Sequence, residues 1–189
     1  PDDEGHWFKT IPCSGATRGL SIAFGHRRLA IIDLSPAGHQ PMTDPERGNW
    51  ITYNGEIYNF TELRQELLGL GEMFRTGTDT EVILKAYGAW GDDCLGRLRG
   101  IFAFAIWDEG AQRLLLARDP MGVKPLYLWQ EEGQLVFASE VRAILATGLA
   151  PKRLDSEGLL SFLSYGSVQE PFTMISGVRS LPPGAILSY

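Results

Sequence analysis

Residues 100–108, G-I-F-A-F-A-I-W-D, constrain the fold of this chain more than any other stretch. Between Ile101 and Trp107 bulky and small apolar residues alternate, which is the side-chain period of a strand. Asp108-Glu109-Gly110 supplies a turn, and strand-like runs follow at 113–118, 123–128 and 134–138. The links between them are short. Asp119-Pro120-Met121-Gly122 has Pro and Gly where a type I turn favours them, and Glu131-Glu132-Gly133 joins the last two runs. Such short links pair strands antiparallel, because a parallel crossover needs a dozen residues or more. The expectation is a continuous antiparallel meander over residues 101–138.

The remaining chain alternates strand and helix signals. In residues 20–33, Leu20, Ile22 and Phe24 alternate with small residues, and Leu29, Ile31 and Ile32 resume after His26-Arg27-Arg28. One of these arginines is expected to reach solvent. The other points inward, where a guanidinium requires a carboxylate or a ligand. Residues 34–47 read as a Pro- and Gly-rich loop leading to a return strand through 50–53. Asn59 with Glu62, and Thr78 with Glu81, have the spacing of capping boxes. The first opens a helix with Leu63, Leu67 and Leu70 inward, and the second one with Val82, Ile83, Ala86 and Trp90 inward. Residues 73–75 look strand-like, and 92–99 and 139–147 look helical. Asp155 caps a last helix with a Leu154–Leu159 staple and Leu160 and Leu163 on its apolar side, and residues 185–189 close as a strand. The fold class is α+β: a single domain over 1–189, with helices packed on the faces of stacked antiparallel sheets rather than a doubly wound parallel sheet.

Net charge of −6 argues against a nucleic-acid partner, and no apolar run is long enough to cross a bilayer. Cys13 and Cys94 are too few for a disulfide framework, and His6, His26 and His39 are too scattered for a metal site. A cytoplasmic, metal-free domain is the expectation.

The stretch I-T-Y-N-G-E-I-Y-N, residues 51–59, carries the chemistry. Asn54-Gly55 is a strong hairpin-turn signal, and it would set an amide, a bare backbone N–H and the Glu56 carboxylate at one rim. A solvated turn and a ligand rim both fit. Asp79, in a first helical turn, is equally a favourable helix-start acid or a binding group. A free α-amino acid needs a forked cation for its carboxylate and a carboxylate for its ammonium, chemistries that Arg28 and Asp79 possess. Cleaving a side-chain amide requires two fixed donors for the oxyanion, and an Asn amide with a Gly N–H are suitable suppliers.

The segments H-R-R-L-A-I-I-D (26–33), Y-N-G-E-I-Y-N (53–59), T-G-T-D-T-E (76–81), G-I-F-A-F-A-I-W-D (100–108), A-R-D-P-M-G-V-K-P-L-Y (117–127) and F-A-S-E (137–140) resemble the glutamine amidotransferase domain of glutamine-hydrolysing asparagine synthetases. That domain is a class II amidotransferase with the N-terminal-nucleophile hydrolase fold, an αββα sandwich. The tail over 165–184 resembles the segment that closes it. The resemblance implies that Arg28 holds the glutamine α-carboxylate and Asp79 its ammonium. It makes Asn54 and Gly55 the oxyanion hole, has Glu56 line the site, and gives Ile31 and Ile32 backbone contacts. It implies no cofactor in this domain, with ATP and Mg in a synthetase domain that is the partner in the same polypeptide.

The family's nucleophile is an N-terminal cysteine with its own α-amine as base. Pro1 matches the residue after H-R-G in the family's opening turn. The resemblance therefore implies that the cysteine and the first strand lie outside this sequence, that the 189-residue chain does not hydrolyse glutamine by itself, and that an exposed sheet edge favours a homodimer. Competing readings are a non-catalytic scaffold, as in β-lactam synthetases, and an amidotransferase of another pathway.

Overall fold

A computed structural model of the chain describes residues 7–12, 21–27 and 38–189. They divide into two compact units, Pro1–Leu116 with Leu187–Tyr189, and Ala117–Ile186.

The first unit is built on β4 (Asn49–Ile57) and β5 (Gly100–Asp108), paired antiparallel from Trp50↔Trp107 to Ile57↔Gly100. β3 (Met42–Asp44) flanks β4, while β6 (Arg113–Arg118) and β10 (Ile186–Ser188) extend the sheet beyond β5, giving the order β10-β6-β5-β4-β3. Asn54-Gly55 is therefore not a turn. The apolar residues on either side of it pair with β5 rather than with each other, so the strand runs straight through. Gly55 is there for close approach: a Cβ would lie 2.8 Å from Phe102 Cα and 2.9 Å from Tyr53 Cε2.

Side chains alternate across β4. Ile51, Tyr53 and Ile57 are buried on one face, where Tyr53 meets α2 (Asp79–Trp90). Thr52, on the other face, hydrogen-bonds His26 at 3.1 Å. His26 ends β2 (Ser21–His26), which forms a hairpin with β1 (Trp7–Pro12) in register Trp7↔His26. Within this unit a helical layer covers one side of the five-stranded sheet and β2 approaches the other, the expected α+β layering.

α1 (Phe60–Gly69) buries Leu63 and Leu67 as its periodicity predicts, but Leu70 is exposed. Asn59 does not cap it. Its carboxamide donates to Arg97 O and accepts from Arg99 N, both at 2.9 Å, latching the chain that feeds β5. α2 is buried over its whole first two turns, Asp79 through Tyr87, so its polar residues Asp79, Glu81 and Lys85 all need partners. Residues 73–75 carry no strand, and the short helix expected over 92–99 is a 3-10 helix over Gly91–Arg97.

The expected meander splits after β6. Gly122 N donates to Asp119 O at 3.0 Å, the predicted turn, but the buried Asp119 carboxylate also accepts from Met121, Val123 and Lys124 N–H, each at 3.0 Å. Those bonds take the donors a fourth sheet partner would need. β7 (Tyr127–Glu131) and β8 (Gln134–Ala138) instead form a separate sheet in the second unit with β9 (Val178–Ser180), in the order β8-β7-β9. Trp129, Ile144 of α3 (Val141–Ala146), Ala150 and Val178 make its core.

α4 (Ser156–Tyr165) is capped as expected, Asp155 accepting from Gly158 N at 2.9 Å. Its buried residues, however, are Gly158 and Ser161, and Leu160 and Leu163 point outward, 60% and 72% exposed. Gly158 lies so close to Thr173 O that no side chain fits, and this contact sets which face turns inward.

Candidate functional site

In an antiparallel strand the N–H groups alternate between its two edges. Along β4 the odd-numbered residues point away from β5: β3 pairs at Met42↔Ile51 and ends there, and two side chains continue the ladder. Gln40 Oε1 accepts the Tyr53 N–H at 2.6 Å, and Asp79 Oδ2 accepts the Ile57 N–H at 3.1 Å. Between them the same parity places the Gly55 N–H, with no acceptor among the described residues. Among the described residues, one donor on this edge is left without an acceptor.

Asp79 is held from several directions. Thr78 Oγ1 caps α2 by accepting from Glu81 N at 3.1 Å. The Glu81 carboxylate does not complete a capping box. It accepts from Arg75 N at 2.8 Å and from Thr76 N and Oγ1 at 2.7 Å each, fixing the loop before the helix. Tyr53 Oη donates to Asp79 Oδ2 at 2.7 Å. Burial, then the adjacent Asp79 charge, push the Tyr53 hydroxyl far above its ordinary range, so it stays a donor. Both bonds to the carboxylate use Oδ2, and Oδ1 takes none among the described residues.

Asn54 and Glu56 lie on the Thr52 face of β4, exposed, and neither side chain is hydrogen-bonded to the described residues. The Gly55 N–H and the Asp79 carboxylate thus share one strand edge, while Asn54 and Glu56 project from the Thr52 face of the same strand. Arg28, Ile31 and Ile32 lie outside the described residues, while Arg27 is exposed, as expected for one arginine of the pair. Cys94 is fully buried, and its thiol is pushed up to about 12 by burial and by Asp92 and Asp93. It is core filler, not a nucleophile; Cys13 lies outside the described residues. Sequence reasoning missed Gln40 and Tyr53, which position β4 against Asp79. No local signal marks either, because Gln40 lies 13 and Asp79 26 residues from Tyr53 and they meet only through the fold.

Along that edge the Gly55 N–H and the Asp79 carboxylate at Ile57 lie about 7 Å apart, since alternate residues repeat at about 6.8 Å, and the exposed Asn54 amide stands on the adjoining face. That span matches a small zwitterionic molecule carrying a polar group to be polarised. Among the described residues no cluster of His, Cys, Asp or Glu can hold a metal ion.

The whole chain, residues 1–189, matches the family model described as a glutamine amidotransferase domain. It is 42% identical over 171 residues to asparagine synthetase [glutamine-hydrolyzing] 3 of Bacillus subtilis, covering 89% of this chain and 28% of the relative. It is 42% identical over 164 residues to asparagine synthetase [glutamine-hydrolyzing] 1 of the same organism, covering 87% and 26%. The chain therefore spans roughly a quarter of the length of these relatives. Its fold is similar to that of glutamine phosphoribosylpyrophosphate amidotransferase from B. subtilis, solved with ADP and GMP, at a TM-score of 0.57 and 30% identity over 67% of this chain and 29% of that one. The family model spans the whole chain, and two relatives share 42% of its residues over most of its length: the chain belongs to the glutamine amidotransferase domain family.

Proposed function

We propose that this chain is the glutamine-handling part of an asparagine synthetase, binding L-glutamine for release of its amide nitrogen as ammonia, which a synthetase domain in the same polypeptide passes to activated aspartate. The observation that carries the reading is the Gly55 N–H left open between Gln40 and Asp79. In this reading Asp79 Oδ1 takes the substrate ammonium and Arg28 its carboxylate, with Ile31 and Ile32 offering backbone contacts and Glu56 lining the approach. When a nucleophile adds to the side-chain carbonyl, its oxygen becomes an oxyanion. The Gly55 N–H and Asn54 amide stabilise it, each by about 3 kcal/mol. Collapse of that intermediate expels ammonia. The thiolate this needs would be an N-terminal cysteine, since Cys94 is buried and protonated.

The names of the longer relatives support the synthetase assignment, and ATP with Mg would belong to that further domain. Its docking is supported by the outward apolar face of α4, where Leu160, Leu163 and Tyr165 are 60%, 72% and 74% exposed. No helix among the described residues is long and apolar enough to cross a membrane.

The test is titration of the isotope-labelled chain with L-glutamine, read at the Gly55 backbone amide. Saturable movement is expected, weakened about 30-fold by Asp79→Asn, the equivalent of about 2 kcal/mol for one lost charged contact. A Gly55 amide that stays still at saturating glutamine overturns the reading.

A further inference from the structure

β4 carries the only Asn-Gly pair in the sequence, Asn54-Gly55; the other asparagines, Asn49 and Asn59, precede the bulky Trp50 and Phe60. An asparagine followed by glycine is the pair most prone to internal attack on the asparagine side chain. A residue without Cβ leaves its nitrogen open and its backbone free to turn. Three conditions govern that attack. The carboxamide must be unheld, the following N–H must be able to lose its proton, and the nitrogen must swing within bonding reach of the carboxamide carbon. The first two are met here. Asn54 is exposed and its side chain takes no hydrogen bond among the described residues, and the Gly55 N–H faces the edge between the bonds of Tyr53 and Ile57.

The third is withheld by the sheet. Asn54 stands opposite Ala103 and Gly55 opposite Phe102. By the parity of the ladder, Asn54 and Ala103 exchange both of their backbone hydrogen bonds, while the Gly55 N–H points the other way. Bringing the Gly55 nitrogen to Asn54 Cγ requires rotation about the Asn54 Cα–C bond. That rotation turns the whole peptide plane and carries Asn54 O away from Ala103. Gly55 has no room to follow, since its Cα is packed so closely on Ile101 O and Phe102 Cα that even a methyl would not fit. The flanking residues are anchored as well, Tyr53 to Gln40 and Asp79, and Ile57 to Asp79. The reactive geometry therefore exists only after β4 parts locally from β5.

We propose that Asn54 is a site of spontaneous covalent modification, gated by the β4–β5 pairing. In the opened strand the Gly55 nitrogen gives its proton to a solvent base and attacks Asn54 Cγ. A C–N bond forms, the Cγ–Nδ2 bond breaks, and Nδ2 takes a proton and leaves as ammonia, closing a succinimide ring. Water then opens the ring, with no oxidant or reductant. Breaking the new Cγ–N bond gives aspartate at 54 and an unaltered backbone. Breaking the original bond between the Asn54 carbonyl carbon and the Gly55 nitrogen gives isoaspartate, whose main chain runs through Cβ and Cγ and is one carbon longer. Either product trades the neutral amide for a carboxylate. The longer chain also throws the residues after 54 out of step with β5, so the strand does not close again as before. Opening is reversible and the chemistry is not.

The experiment follows the 189-residue chain in mildly alkaline buffer by peptide mass, reading the gain of about 1 Da, with isoaspartate counted by enzymatic methylation of its carboxyl. Conversion is expected at Asn54 and not at Asn49 or Asn59. It should run at least about tenfold slower in the folded chain than in the chain unfolded by urea. Tyr53→Phe, which loosens the strand beside Asn54, should speed it about tenfold or more. Should that variant not fold, urea below the unfolding transition gives the same test on the parent chain. The rate should then rise in step with hydrogen exchange of the Ala103 N–H, the donor to Asn54 O. A folded chain that converts as fast as the unfolded one refutes the gating. No conversion at Asn54 when the strand is loosened, or a rate indifferent to the loosening, overturns the proposal as a whole. None of this rests on the glutamine reading, which the Gly55 amide reports separately on titration.

Discussion

Replacing Gly55 by alanine tests the central claim about β4. In the structure Gly55 faces Phe102 across the strand pair, at a position where the odd parity makes the two residues a non-hydrogen-bonded pair, the closest approach in an antiparallel ladder. The new methyl would press on Ile101 O, lie 2.8 Å from Phe102 Cα and lie 2.9 Å from Tyr53 Cε2. Ordinary carbon contacts begin near 3.5 Å, so β4 or β5 must retreat by about 0.7 Å or more against backbone that cannot rotate away. Overpacking of this kind costs about 1–3 kcal/mol, and stretching two neighbouring ladder bonds adds about 1 kcal/mol each, for a total near 4 kcal/mol. Had Asn54-Gly55 been a solvated turn, the cost would be the backbone preference alone, about 1 kcal/mol. Urea unfolding followed by tryptophan fluorescence distinguishes the two, with Gly69→Ala as control. Gly69 has nothing within 4 Å of its would-be Cβ and ends α1, so alanine there should be neutral or stabilising by up to about 1 kcal/mol. A Gly55→Ala loss of about 1 kcal/mol or less would refute the close-approach reasoning.

Tyr53→Phe removes the donor to Asp79 Oδ2 and should lower stability by about 1.5–3 kcal/mol in the same assay, the range for a hydrogen bond to a charged group. The acid limb of stability should bear the mark of Asp44 and Glu72. Burial opposes ionisation of Asp44, but Arg47, the Glu46 N–H and Lys85 hold its carboxyl below the ordinary 3.8; Arg47 foremost holds Glu72 below 4.5. Both folded values are depressed, so their contribution is present above the ordinary values and lost as pH falls through the folded ones. Unfolding free energy measured from pH 7 downward should drop from about pH 5, and Glu72→Gln should flatten that drop; an unaltered slope in the variant contradicts it. Finally, Leu160→Ser with Leu163→Ser should leave the isolated chain's unfolding midpoint within about 0.5 kcal/mol, because both side chains already face water, whereas Gly158→Ala should cost about 2 kcal/mol or more.

Local signals were read well where local physics decides. The Thr78 and Asp155 caps, the Asp119–Gly122 turn and the buried Leu63, Leu67, Val82 and Ile83 all follow from short-range periodicity and hydrogen bonding. The errors have a common origin in long-range pairing. Asn54-Gly55 carries the residues of a turn, but the partner of its strand lies more than forty residues away at β5. Asn59 has a capping side chain that a distant segment, Arg97 to Arg99, claims instead. Leu160 and Leu163 look like core, yet a glycine beside them lets α4 pack by its narrow face. At the site, Asn54, Gly55, Glu56 and Asp79 were legible as chemistry. That the Gly55 N–H and Asp79 share one strand edge was not, because it depends on where β3 stops and on Gln40 and Asp79 continuing the ladder.

Those stand-ins have an implication for what can approach this border of the sheet. A bare strand margin invites another extended chain to zip along it, repeating the ladder for as many residues as are unpaired. Here a carboxamide and a carboxylate occupy the rungs on either side of Gly55, so a visiting backbone has no second rung to grip. Among the described residues that margin offers a single N–H, too short a run for an extended chain to zip along.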